Sequence, residues 1–189
     1  ATCSTVHTYG YGTGTVDKRY ACNLYSDTVR VNGEIVRLEN GDPLVYMPLA
    51  VEVNLTNSPY VKTAGARMAK YEVDPNAYND GKSPDNDIVL FRYADVLLMK
   101  AEAEVRNGEA GDAEMNAVRS RSGMGYRPAT LDNILAERLM ELMWEGWRRN
   151  DLIRFDRFHR SYDQRTAPAT EADRHTIVFP IPAHVVDLN

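Results

Sequence analysis

ERLMELMWEGWRRNDLIRFDRF, residues 137–158, decides the architecture of this chain. Apolar residues recur there at helical spacing, and Glu and Arg fill the positions between them. Leu131, Leu135, Leu139, Leu142, Met143 and Gly146 share one helical face, the i, i+3, i+4 stripe of a buried helix. Glu137, Glu141 and Glu145 form a column at four-residue spacing. Like charges stacked in this way repel, so the column calls for arginines between its members. Arg138, Arg148 and Arg149 lie close by, and Arg119 and Arg121 can arrive from a preceding helix. A glycine inside a helix costs about 1 kcal/mol relative to alanine, so Gly146 predicts a close neighbour, either a backbone or a large ring. The stretch reads as one long core helix with an ion-paired outer face. It describes architecture and contains no reaction centre.

Working outward, helical periodicity begins at Ile88. Phe91, Ala94, Leu97, Leu98, Ala101 and Val105 predict a helix that stops at Asn107-Gly108. A short loop, 109–111, leads to a second helix through Met115, Val118 and Arg119, ending near Gly123. Small residues at Ala94, Ala101, Ala103, Ala110, Ala113 and Ala117 let such helices approach closely. The result is an antiparallel pair of the tetratricopeptide type, with one unit visible. Thr130 or Asp132 caps the long helix. The tail, residues 177–182, is expected to be extended because each proline restricts the residue before it.

The first 87 residues have a different composition, rich in Gly, Asn, Asp, Thr, Pro and Tyr, with almost no helical period. Eight of the eleven tyrosines lie there. Asn32-Gly33 between two apolar-alternating runs, 28–31 and 34–37, predicts a two-residue hairpin. Val51, Val53 and Leu55 suggest another short strand, and 75–87 a polar loop. The chain thus divides into a loop-rich, Tyr-rich region (1–87) and a helical region (88–189) within one domain.

Composition narrows the function classes. A hydrophobic share of 43% and a charged share of 26% fit a globular domain with a genuine core. A net charge of -5 and the lack of any Lys/Arg run leave no footprint for nucleic acid. No apolar stretch approaches transmembrane length. The chain opens ATCSTVHTYG, without Met, basic n-region or apolar h-region, so a targeting signal is expected upstream. Cys3 and Cys22 are compatible with a disulfide or with two free thiols.

Enzyme signatures are missing. His7, His159, His175 and His184 show no metal-ligand spacing, and no G-x-S-x-G, P-loop or dinucleotide motif is present. Gly10-Tyr11-Gly12-Thr13-Gly14 is glycine-rich, but no helix follows it. The Glu column is flanked by arginines, which predicts ordinary low-pKa ion pairs in place of a catalytic carboxylate pair. The Asp/Asn loop around Asp80 lacks EF-hand order. No catalytic residue, metal ligand or cofactor is assigned.

Four blocks carry a resemblance. They are Arg92-Tyr93-Ala94-Asp95-Val96-Leu97-Leu98 with Ala101-Glu102-Ala103, and Asn116-Ala117-Val118-Arg119-Ser120-Arg121-Ser122-Gly123. The third runs through Glu137-Arg138, Glu141-Leu142, Glu145-Gly146, Arg148, Asp151-Leu152 and Arg154. The last is Phe179-Pro180-Ile181-Pro182 with Asn189. In this order and spacing, across roughly residues 69–189, they resemble the C-terminal part of the RagB/SusD family. Asp17-Lys18-Arg19 and Lys70-Tyr71 are weaker echoes. Asp95 stands where the family usually has Glu, and Trp147 lies between its Gly and Arg.

The resemblance implies a mainly α, SusD-like fold, an alpha-alpha superhelix of tetratricopeptide-like type, with the loop-rich half and its small hairpin attached. It implies a lipoprotein on the outer face of a Gram-negative outer membrane, capturing glycans, or peptides in some members, above a SusC-like TonB-dependent transporter. Such proteins serve polysaccharide utilisation and nutrient uptake and are not enzymes. They are much longer than this chain, which therefore reads as a C-terminal piece, its lipid anchor lying outside it.

A sugar ring offers C–H faces that pack on aromatic rings and hydroxyls that need polar partners, and loops on a rigid scaffold present such groups. Tyr9, Tyr11, Tyr25 and Tyr46 are the candidate glycan contacts. A tyrosine packed under a loop with its hydroxyl bonded is the competing assignment for each. Trp144 and Trp147 are assigned to core or interface. A helical-repeat module that binds only protein is the alternative function.

Overall fold

The computed structural model describes residues 8–50, 56–72, 74, 84–161, 172 and 174–186. The expected strand at 51–55, the Asp80 loop, His7, Cys3 and Asn189 lie outside these residues, and with Cys3 so does any pairing with the exposed Cys22. Described elements follow the order α1 (Arg19–Asn23), β1 (Leu24–Tyr25), β2 (Asp27–Thr28), β3 (Arg30–Val31), β4 (Glu34–Ile35), β5 (Val45–Tyr46), β6 (Arg67–Met68). Then come α2 (Tyr93–Arg106), α3 (Asp112–Arg121), α4 (Leu131–Glu141), α5 (Arg148–Arg154), a 3-10 turn (His175–Ile177) and α6 (Ala183–Val186). The described architecture is mostly helical, with three small antiparallel strand pairs: β1–β6, β2–β5 and β3–β4.

The helix pair forms as its pattern predicts. α2 packs against α3 and α4. Leu98 and Ala101 meet Met115, Val118, Ile134, Leu135 and Phe155 in one apolar core. Fully burying a side chain such as Leu98 contributes roughly 1.5–3 kcal/mol. The close approach expected from small residues is sharpest at Gly111, where an added Cβ would stand 2.5 Å from the Ala101 carbonyl oxygen. α4 starts at the Thr130 cap, whose Oγ1 accepts from the Asn133 N–H at 3.2 Å. Phe91, expected on the core face, is 67% exposed and lies ahead of the helix. The tail is extended from Val178, but Ile177 belongs to the 3-10 turn.

The hairpin is also as expected. Arg30 pairs with Ile35 and Val31 with Glu34, while Asn32 (φ 50) and Gly33 (φ 85) supply the two left-handed turn positions. Its strands are shorter than predicted, because Thr28 pairs instead with Val45.

The single long helix is not what forms. α4 ends at Glu141, and α5 restarts at Arg148. Trp144 (φ 67) and Gly146 (φ 83) turn the chain between them. Gly146 therefore answers a backbone requirement; nothing lies within 4 Å of where its Cβ would stand. Its expected packing neighbour is absent because the residue is in a turn. Trp144, assigned to core or interface, is 49% exposed there. Trp147 packs against Phe91 with centroids 5.7 Å apart.

The polarity of the stripe also differs from the reading. Ile134, Leu135, Met140 and Leu142 are buried, but so are Glu137, Arg138 and Glu141. The face expected outside points inward.

Candidate functional site

Two charge networks explain how that inversion is stabilised. In the first, Arg19 from α1 bridges the column: Nη2 lies 2.7 Å from Glu137 Oε1 and Nη1 2.9 Å from Glu141 Oε2. The same guanidinium clamps Asp17. Arg119 of α3 reaches Glu137 at 2.8 Å, and Arg121 reaches Glu141 at 2.5 Å, as the spacing suggested. Glu141 also pairs with Arg92, and Glu145 is held by Arg92 and Lys70. Burial on its own would raise the Glu141 carboxyl, but the guanidiniums, Arg92 foremost, hold it down at about 2. Burial lowers Lys70, against the opposing pull of Glu145.

In the second network, Arg138 bonds Asp95 at 2.7 Å and Asp151 at 2.8 Å. Arg154 continues it from Asp151 to Glu102, which also takes Arg106. Of the arginines expected near the column, Arg138 turns to this second network. Arg148 donates to the Leu135 carbonyl and Arg149 to those of Thr176 and Ile177. Arg19, Arg92 and Lys70 were not foreseen as partners, although two of them stand in the weak motif echoes. Both networks tie separate elements of the fold together.

The tyrosines divide. Tyr9 is a correction: it is fully buried, and its hydroxyl donates to the Met140 carbonyl at 2.7 Å and accepts from Asn23. Burial pushes that hydroxyl up to about 12. Packed with Tyr20, Leu24, Ala66 and Met140, its ring has no free face for a sugar. Tyr11 is half-buried against Tyr20 at 5.3 Å and donates to Asp27.

Tyr25 and Tyr46 come together, edge to face at 5.9 Å. They sit on β1 and β5, and the Tyr25 hydroxyl accepts from the Arg30 N–H at 3.0 Å. The Arg67 guanidinium lies 4.4 Å from the Tyr46 centroid. Tyr46 lines a cavity of about 430 Å³ with Arg37, Leu38, Glu39, Leu44 and Lys62. That volume falls inside the range of about 300–1,000 Å³ usual for small-ligand sites. No periodic signal marks Arg37, Glu39 or Lys62 in the sequence; the turn between β4 and β5 brings Arg37 and Glu39 to the ring, and the segment between β5 and β6 brings Lys62. A second cavity, of about 540 Å³, opens beside the first charge network.

Among the described residues no group of three or more His, Cys, Asp or Glu is arranged to hold a metal. No helix among them is long and apolar enough to cross a membrane.

Comparison with known proteins finds two relatives. The starch-binding protein SusD of Bacteroides thetaiotaomicron is 35% identical over 104 residues, covering 51% of this chain and 18% of that protein. The SusD-like protein P38 of Formosa agariphila is 38% identical over 86 residues, 37% of this chain and 17% of its own length. The chain thus spans less than a fifth of each of these relatives. The SusD family model matches residues 17–178, from Asp17 of the first network through α5 and beyond. The chain belongs to the SusD family.

Proposed function

We propose that this chain is part of a glycan-binding protein of the bacterial cell surface. The observation that carries the reading is the Tyr25–Tyr46 pair beside the 430 Å³ cavity, where a ring is neighboured by Arg37, Glu39 and Lys62. Such a set offers an apolar face for sugar C–H groups and charged partners for hydroxyls. Family membership and the starch-binding relative support it. Tyr11, half-exposed at the edge of the same region, is a further contact; Tyr9 is not. The loop-rich region meets the ligand, and the helical region, an alpha-alpha superhelix of tetratricopeptide-like type, supplies the scaffold.

In this reading the full-length protein is lipid-anchored at the outer membrane and passes glycan to a SusC-like TonB-dependent transporter. It binds without hydrolysing. One observation favours the alternative, a protein-interaction module: Ile88, Leu90, Phe91 and Tyr93 are a run of exposed apolar residues.

A glycan array followed by calorimetry on the full-length protein separates the two. Glycan binding is expected, weakened roughly tenfold by Tyr46→Ala or Tyr25→Ala and untouched by Trp144→Ala. Loss of affinity in a folded Trp144 variant, with both Tyr variants intact, would overturn the assignment. Binding of no glycan would favour the interaction module.

A further inference from the structure

The second cavity has a charge surplus that the fold leaves unspent. Six cationic side chains, Lys18, Arg19, Lys70, Arg92, Arg119 and Arg121, stand around four carboxylates, Asp17, Glu137, Glu141 and Glu145. The surplus sits at the mouth. Arg19 and Arg92 are each bonded to two or more acidic side chains, and Lys70 to Glu145 and the Glu141 carbonyl. Arg121 is different: its side chain is 60% exposed and, among the described residues, its one ion pair, to Glu141, uses Nη2. The remaining N–H groups of that fork have no partner among the described residues and can take a carboxylate side-on. Lys18 makes no ion pair among the described residues. Its position is nevertheless fixed. Its backbone N–H donates to the Ser122 carbonyl at 3.1 Å, and its stem lies over Gly123, with Cε 3.0 Å from where a Cβ would stand.

We propose that this cavity takes the carboxylate of an acidic sugar, held by Lys18 and Arg121. The inference rests on the glycan reading above for the identity of the ligand's ring. Three observations narrow the class. Among the described residues cations outnumber carboxylates by two around this cavity, and Lys18 and the exposed Arg121 at its mouth call for an anion. The volume of about 540 Å³ exceeds what a bare oxyanion needs and admits a ring behind the charge. The chain's net charge of -5 opposes an extended polyanion such as nucleic acid, leaving a small, singly charged group. The buried network behind the cavity keeps Arg19 and Arg92 from rotating toward the ligand, so Lys18 and Arg121 do the holding.

The test is calorimetry on the full-length protein with D-glucuronate, D-glucose and sodium sulfate as probes. Glucuronate should bind at least tenfold more tightly than glucose, and more weakly as NaCl is raised. The double variant Lys18→Met, Arg121→Gln should remove that preference, losing roughly tenfold or more. Circular dichroism establishes that the variant is folded, and Lys18→Met alone, which keeps the stem on Gly123, should show a partial loss. Equal affinity for glucuronate and glucose would overturn the proposal. So would a preference that survives in the double variant, or sulfate matching glucuronate, since the ring would then contribute nothing. If neutral glycans bind through Tyr46 and glucuronate gains nothing, only this proposal falls. If no glycan binds at all, the glycan reading falls with it.

Discussion

The helical block and the strand-and-loop block place their charges in opposite ways. Between Tyr93 and Arg154 the buried residues include Asp95, Glu102, Arg119, Glu137, Arg138, Glu141 and Asp151. Between Leu24 and Met68 the ion pair of Lys62 with Glu39 lies in solvent, and rings do the packing. The helical block thus depends on partners that must all be present. A buried charge that loses its partner is costly, whereas an exposed pair contributes little. The loop block, with few such obligations, has surface left to offer a ligand.

Arg19→Ala should break the comparison most severely. It strips one guanidinium from three carboxylates, Asp17, Glu137 and Glu141, at once. Loss of a buried partner costs about 3–5 kcal/mol. Denaturant unfolding should show that loss, or no folded protein. A change within error would mean that the helical block does not depend on its charges.

Acid should act on the same block. Glu141 titrates at about 2 when folded, against an ordinary 4.5. A carboxyl with a depressed folded value contributes stability above its unfolded value and loses it as pH falls through the folded one. That contribution, on the order of 3 kcal/mol, should fade between about pH 4.5 and 2. In Glu141→Gln, stability should start lower and fall less over the same interval. Parallel pH profiles for the two proteins would contradict the assignment.

Gly146→Ala probes the turn that ends the ion-paired column. With φ at 83, an alanine there should cost about 1–2 kcal/mol, although space for its methyl is open. A neutral result would mean that the turn relaxes. The smallest effect belongs to the loop block: Lys62→Ala should leave the unfolding midpoint where it is, because its partner Glu39 is 92% exposed.

What was legible in the sequence follows these physical divisions. Local signals held: the Asn32-Gly33 turn, the stop after Arg106 and the Thr130 cap each depend on neighbours in the chain. The ion pairing of Glu141 was readable because Arg121 lies one motif away. Burial of the column was not, since the ligating Arg19 comes from 122 residues earlier and no periodicity links them. The break at Glu141 was hidden because Trp144 adopts a conformation rare for its type, and Gly146 fits either a tight helix contact or a turn. For the candidate site, composition located the aromatic-rich region but could not rank its members. Tyr9 lies in a Gly-rich stretch and Tyr46 in an apolar one, yet the fold sends the first beneath Met140 and the second to a cavity wall.

The span of the Arg19 bridge also orders events in time. The α2–α3 hairpin closes over a few residues, so it is available early as the chain folds. Tyr9 and Met140 are 131 positions apart, and Arg19 and Glu141 are 122 apart. Closing such loops carries an entropic cost that is reduced once nearer contacts, Leu24 with Met68 and Arg92 with Glu141, have formed. A polypeptide emerging from synthesis therefore holds Asp17 and Arg19 before Glu137 and Glu141 have appeared. The segment that carries Arg19 docks onto α4 only once those later residues are present.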